Sequence, residues 1–229
     1  PTKGLLNRHI ALWQSHGYYF EQSLNRWEWQ RARIFETVED LYTQSFVMPF
    51  LTPMLQNAGA YVFSPRERDT NLHELIADND NADTYFETGT EKVKWENGST
   101  GFAHTVSVYT GTRNPFDDGS FRQTKTTTDP RKEIQAHWYA PIPQTGKYAV
   151  YIAYRTVKNS TDDALYTVYH KGGKTQFKVN QSMGGGTWIY LGHFDFAKGE
   201  NAHVELSNLS RKNGKTVTAD AVKIGGGYG

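Results

Sequence analysis

The chain has 229 residues, 25 Lys and Arg against 24 Asp and Glu, and a net charge of +1. That balance supplies no general pull toward nucleic acid. With no cysteine, disulfides, thiolate metal sites and a cysteine nucleophile are all excluded. No apolar run reaches the roughly 18 residues of a membrane-spanning helix. The chain opens Pro1-Thr2-Lys3-Gly4, without a basic-then-apolar leader. Aromatic content is high at 14%, with 14 Tyr and 6 Trp. Abundant Tyr, Trp, Thr and Gly suits antiparallel sheets rich in turns.

The first segment, residues 1–78, reads as α/β. Ile10-Ala11-Leu12-Trp13 is a short apolar strand of the kind buried on both faces in a parallel sheet. It ends at Ser15-His16-Gly17, where a parallel sheet holds its chemistry. His16 there is either a metal ligand through a neutral ring nitrogen or a strand-end histidine with an ordinary hydrogen bond. From Thr37 to Asn57 apolar residues recur at helical spacing, with Glu39 and Asp40 in the first turn. Pro49 and Pro53 each remove a helical hydrogen bond, which predicts a kink near Met48. Asn57-Ala58-Gly59 predicts the helix stop, with Gly59 in the left-handed region. Ala60-Tyr61-Val62-Phe63 then reads as a second strand, giving a strand–helix–strand crossover. Arg66-Glu67-Arg68-Asp69 follows, as a site wall or as a solvated ion-pair knot. Trp27, Trp29, Arg31 and Arg33 could wall a groove beside His16 or cover the sheet.

The polar run Asp78-Asn79-Asp80-Asn81 reads as a linker, so the second segment is placed at 79–229. Strand-like runs recur there at 102–109, 134–139, 146–155, 163–170, 174–180, 187–196, 202–207 and 216–224. Tyr148, Val150 and Ile152 alternate with Lys147, Ala149 and Tyr151, the period of a sheet with one dominant core face. The expectation is an all-β sandwich of jelly-roll type. Neither of the glycine runs, Gly184–Gly186 and Gly225–Gly227, has the lysine of a phosphate loop.

Two stretches resemble known families. The motifs "AHWYAPIPQTGKYAVYIAY" (136–154), "YTVYHKGGKTQFKVNQ" (166–181), "GGTWIYLGHFDFAKGENAHVELSN" (185–208) and "VTADAVKI" (217–224) resemble the golvesin C-terminal-like domain, a xanthan-lyase-like β-sandwich. In that pattern a Trp precedes the "P..G.Y.V" strand and Gln181 follows a strand. Residues 8–69 resemble the start of zinc-dependent N-acetylmuramoyl-L-alanine amidases. Their first zinc ligand is a strand-end His, and His16 stands in its place. Their second ligand is a Glu at the head of the long helix. That resemblance implies Glu39, although ungapped spacing back from Gly59 favours Asp40. Arg66 and Asp69 stand at the family's later Arg and Asp, and with Trp27 they would line the substrate side.

The amidase resemblance implies Zn and a peptidoglycan amide substrate. It also implies a further His and a catalytic Glu that this chain does not carry in matching positions, so a C-terminal segment would have to supply them. The competing expectation is a non-catalytic carbohydrate-binding sandwich of a polysaccharide-processing protein, with Trp95, Tyr109, Trp138, Tyr139, Trp188 and Tyr190 as candidate contacts. Trp138 and Trp188 occupy family positions that equally suit core residues. A polysaccharide lyase ranks last, because no base appears beside a charge-neutralising partner at an informative spacing. His73, His104, His137, His170, His193 and His203 read as ordinary strand or surface histidines. Both leading expectations place the protein in the periplasm or outside a bacterial cell, without nucleic acid or a membrane span.

Overall fold

A computed structural model describes residues 3–21, 23–24, 26–31, 34–35, 37–64, 71, 73–106 and 113–226, without the side chains of 18–20 and 26–28. The chain divides into two compact units, Pro1–Arg68 with Gly227–Gly229, and Asp69–Gly226.

In the first unit, β1 (His9–Ala11) pairs in parallel with a later strand, Tyr61–Phe63. Between them β2 (Tyr18–Glu21) and β3 (Arg26–Trp29) form an antiparallel hairpin. The helical stretch follows as α1 (Glu39–Phe46), a π-helical segment over Val47–Leu51, and α2 (Thr52–Asn57). The expected interruption therefore takes the form of widened helical turns. Pro49 lies inside the π segment and Pro53 is the second residue of α2, directly after it, so the widened turns fall where the two prolines remove helical hydrogen bonds. Gly59 closes the helix at φ +99°, with its N–H donating to Gln56 O at 2.9 Å. Tyr61–Phe63 is β4. Its flanking residues Tyr61 and Phe63 are more than half exposed, and only Val62 is buried. The buried-on-both-faces pattern expected for the opening strand does not hold either, since His9 and Ala11 of β1 are exposed.

The second unit is a β-sandwich. Its strands are β5 (Glu74–Asp78), β6 (Tyr85–Glu87), β7 (Glu96–Gly101), β8 (Gly119–Lys125), β9 (Gln135–Pro141), β10 (Gly146–Ile152), β11 (Ala164–His170), β12 (Gly173–Val179), β13 (Ile189–Phe196), β14 (Asn201–Ser207), β15 (Thr216–Ala219) and β16 (Ala221–Gly225). One sheet has the order β13-β10-β16-β5 and the other β12-β11-β14-β9-β6, with a third, three-stranded sheet β15-β8-β7. Tyr148, Val150 and Ile152 of the first sheet share one core with Trp138, Tyr166, Val168, Val204 and Leu206 of the second. All eight are 1% exposed or less. At about 25 cal/mol per Å² of buried apolar surface, this layer is the main source of the unit's stability.

Three expectations need correction. The Asp78–Asn81 run is a turn inside the sandwich, since β5 pairs with β16 and Asp80 accepts the Ser120 N–H at 2.7 Å. The division between units therefore falls before β5. Of the strand expected at 102–109, residues 102–106 are not strand and 107–109 lie outside the described residues, while the strand before them, β7, was not expected. There the sequence Glu-Asn-Gly-Ser-Thr-Gly carries no apolar period. It is held by backbone pairing to β8, and a Cβ at Gly98 would collide with the Phe121 ring. The single strand expected at 216–224 is two strands in different sheets, separated by the buried Asp220.

Candidate functional site

In the first unit the structure places Asp40, not Glu39, beside His16. Glu39 is exposed, whereas Asp40 is fully buried. The Asp40 carboxylate lies 3.6 Å from His16 Nδ1 and accepts hydrogen bonds from Ser15 Oγ at 2.8 Å and from the His16 N–H at 2.9 Å. The Arg31 N–H donates to its other oxygen at 3.4 Å. Asp40 thus ties the 15–16 turn to the start of α1. The pair falls one ligand short of a three-ligand zinc site. The backbone of Trp27 is on β3, whereas Arg66 and Asp69 lie outside the described residues.

The aromatic candidates scatter. Trp95 and Trp138 are core, 3% and 1% exposed. The Trp138 indole N–H donates to Asp220 O at 3.0 Å, which settles its polar end inside the sandwich. Trp188 is half-buried, its ring 4.8 Å from Phe102 and 5.4 Å from Phe116. Tyr190 is 41% exposed and lies 5.5 Å from Tyr151. Tyr109 lies outside the described residues. Tyr139 alone of the six belongs to a larger constellation.

That constellation is the outward face of the five-stranded sheet. Alternation sends Ala136, Trp138 and Ala140 of β9 into the core and leaves Gln135, His137 and Tyr139 on the other face. On β14 the same rule leaves His203 and Glu205 outward, between the core residues Ala202, Val204 and Leu206. Antiparallel register then sets His203 opposite both Tyr139 and Tyr169, and Glu205 opposite both His137 and Thr167. Phe86 of β6 faces His137, and Lys174 and Gln176 of β12 face Tyr169 and Thr167.

The rings stack into a row across four adjacent strands. Phe86 lies 5.6 Å from Tyr139, Tyr139 4.4 Å from His203, and His203 4.4 Å from Tyr169, with planes within 10° of parallel. His137 stacks on Phe86 at 4.4 Å. Adjacent strands lie about 4.8 Å apart, so the row is roughly 14 Å long. Stacked side by side, these rings cover one another's faces, leaving Tyr139, Tyr169 and His203 half-buried and His137 buried at 6% exposure. Phe86 ends the row at the sheet edge and is 47% exposed.

Within the row His137 Nδ1 and His203 Nε2 approach to 3.1 Å, and His137 Nδ1 lies 3.9 Å from Glu205 Oε2. Tyr169 Oη donates to Glu205 Oε2 at 3.1 Å. Burial, and secondarily the neighbouring imidazole, push His203 down to about 4. Burial likewise lowers His137. Burial raises Glu205, against the opposing Tyr169 hydrogen bond. Both imidazoles are therefore neutral at pH 7, so the charges of this face are those of Glu205 and of the lysines on β12.

Sequence reasoning treated His137 and His203 as ordinary histidines. The signal that could have found them is the shared outward phase of "AHWYA" and "AHVEL", each with a histidine one position after a core alanine.

A family model described as the golvesin C-terminal domain matches residues 112–226. The curated relative Xanthan lyase, from Bacillus sp. (strain GL1), is 30% identical over 159 residues, covering 68% of this chain and 15% of that protein. This chain thus spans a small fraction of that relative's length. The structure of a Paenibacillus xanthan lyase superposes with a TM-score of 0.52 at 24% identity, over 67% of this chain and 13% of that one. A module titled CBM35, from Cellvibrio japonicus Abf62, aligns with a TM-score of 0.42 at 18% identity, over 68% of this chain and 95% of that one. The family match lies within the second unit and takes in β8 to β16, with the spaced Trp138, Gln181 and Trp188. With half of its length matched by that model, the chain belongs to the golvesin C-terminal domain family.

Proposed function

We propose that this chain is a non-catalytic, polysaccharide-binding β-sandwich module of a larger polysaccharide-processing protein, working in the periplasm or outside the cell. The observation that carries the reading is the outward face of the five-stranded sheet. A solvated sheet face ordinarily presents scattered charges. This one presents a continuous row of rings, flanked by Gln135, Gln176, Thr167 and Lys174. Ring edges bearing Tyr hydroxyls and imidazole nitrogens offer donors and acceptors to a polyhydroxyl chain. The half-exposed Phe86 offers apolar surface to the C–H face of a sugar ring. Lys174 and Lys178, both exposed on β12, would favour an acidic polymer.

The relative named xanthan lyase makes xanthan the first polymer to try. Isothermal titration with xanthan oligosaccharides, a neutral glucan and soluble peptidoglycan fragments tests the reading. Saturable binding to one of the polysaccharides is expected, and none to any of the three would refute it.

An amidase reading has less behind it. Glu39 is exposed away from the expected ligand position, and the Asp40 carboxylate is already engaged by Ser15 and the His16 backbone. No turnover of muropeptides by this chain is expected.

A further inference from the structure

We propose that His137, His203 and Glu205 form a binding site for one first-row transition-metal dication, of the Zn2+ class, at the centre of the open sheet face. Each offers one donor atom, and the three donors lie within 4.8 Å of one another. Among the described residues no other group of three or more His, Asp or Glu meets that condition.

The separations suit a small dication. Ligand bonds of about 2.0–2.1 Å in tetrahedral geometry put ligand atoms roughly 3.3–3.4 Å apart. The nitrogen–nitrogen distance of 3.1 Å and the nitrogen–oxygen distance of 3.9 Å fall on either side of that value. The third pair, His203 and Glu205, lies within 4.8 Å, so rotation of the Glu205 side chain that moves its carboxylate by up to about 1.4 Å closes the set. The three residues also sit on paired strands rather than loops, so their Cα positions are held by the ladder between β9 and β14.

The chemistry agrees with the geometry. A metal ligand must be an unprotonated imidazole nitrogen. His137 is buried, 6% exposed, and His203 is half-buried, stacked on it at 5.3 Å. Two neutral imidazoles and a carboxylate are a donor set that first-row dications accept and Ca2+ and Mg2+ do not favour. In the metal-free state the two facing nitrogens share one proton. Binding an ion to both requires that proton to move to the outer nitrogen of the same ring, with no net change in protonation. The Tyr169 hydroxyl already orients the carboxylate, as a hydrogen-bonded support beneath a ligating group. Glu133 and Lys174 are the other charged groups that act on Glu205. The fourth position would be open to water or to a ligand hydroxyl. The site stands independently of the polysaccharide reading.

The test is titration of EDTA-treated full chain with ZnCl2, NiCl2 and, as a control, MgCl2, followed by calorimetry. One Zn2+ or Ni2+ per chain with a Kd of about 10 μM or tighter is expected, and no Mg2+ binding. His203→Gln should weaken Zn2+ by more than ~100-fold, beyond the roughly 10–100-fold that loss of a supporting residue gives. Glu205→Gln, which keeps the Tyr169 contact, is the second variant should His203→Gln unfold. His16→Gln should leave the isotherm unchanged, since His16 belongs to the other unit. No Zn2+ binding by the wild type, or Zn2+ binding unaltered by both His203→Gln and Glu205→Gln, would overturn the proposal. Polysaccharide titrations with and without EDTA separate this site from the binding face as a whole.

Discussion

Asp220 joins β15 to β16 at the point where the chain changes sheets, and it is 1% exposed. Its carboxyl accepts the Phe102 N–H through both oxygens, at 3.0 and 3.1 Å. Burial pushes it up to about 8, with Asp78 and Asp80 adding to the rise and the Phe102 hydrogen bond opposing it. The raised value fixes the sign of a pH effect. Between the usual 3.8 and about 8 the folded carboxyl keeps a proton that the unfolded one has released. Stability must therefore fall as pH rises through that window.

Each tenfold gain in proton affinity is worth about 1.4 kcal/mol, so a rise from 3.8 to about 8 sets a ceiling of roughly 5–6 kcal/mol at pH 8. Asp78, itself pushed by burial up to about 6, adds to the loss below pH 6 in both proteins, while relaxation of the interior around a charge reduces the Asp220 share. About 2–3 kcal/mol is the expected loss between pH 5 and pH 8. Asp220→Asn keeps an acceptor for Phe102 and removes the ionisation. Urea unfolding followed by tryptophan fluorescence at pH 5, 6, 7 and 8 should show the variant gaining on the wild type as pH rises, by about 2 kcal/mol across the range. Parallel profiles for the two proteins would refute the reasoning.

Gln181 is fully buried and acts as a strand partner made from a side chain. Its amide donates to Tyr166 Oη at 3.1 Å and to Thr218 O at 2.8 Å, and accepts from the Thr218 N–H at 2.9 Å. Gln181→Leu leaves three buried polar groups without partners and should cost about 3–5 kcal/mol, read as a lower urea midpoint. A loss under about 1 kcal/mol would show that water replaces the amide. The pair His137 and His203 predicts the opposite limb of the pH profile. Both are held neutral in the fold and protonate near 6.5 when unfolded, so their contribution is complete above that value and is lost as pH falls toward 4. His203→Gln should flatten this acid limb, and an unchanged limb would contradict the burial argument.

The helical stretch was legible because its determinants are local. Pro49 and Pro53 act on hydrogen bonds within their own turn, and Gly59 on its own φ. β9, β12 and β14 were legible because apolar residues alternate with polar ones against a single core, whereas β10, expected to have one dominant core face, is buried on both faces from Tyr148 to Ile152. β7 was not, since two glycines stand where Phe121 and the Ser120 backbone come close, and no side chain there advertises a face. The break at Asp220 was hidden inside an apolar run, because both β15 and β16 are buried throughout most of their length. The outward face of the five-stranded sheet was half legible. Alternation gives the outward phase of His137, Tyr139, His203 and Glu205, but only strand register brings His137 and Glu205, far apart in the chain, opposite each other. The acidic residue beside His16 was uncertain by one position along the helix, and Asp40 takes the place because its carboxylate caps the turn that Ser15 and His16 make.

The central claim is that the outward face of the five-stranded sheet holds a polysaccharide. Affinity electrophoresis in xanthan-containing gels, run on the wild type, Phe86→Ala, Tyr139→Ala and Tyr190→Ala, tests it most directly. Retardation of the wild type and of Tyr190→Ala is expected, with a loss of about tenfold in affinity for Phe86→Ala and Tyr139→Ala. If Phe86→Ala and Tyr139→Ala are retarded like the wild type while Tyr190→Ala runs free, the polymer binds the other sheet and the account is wrong.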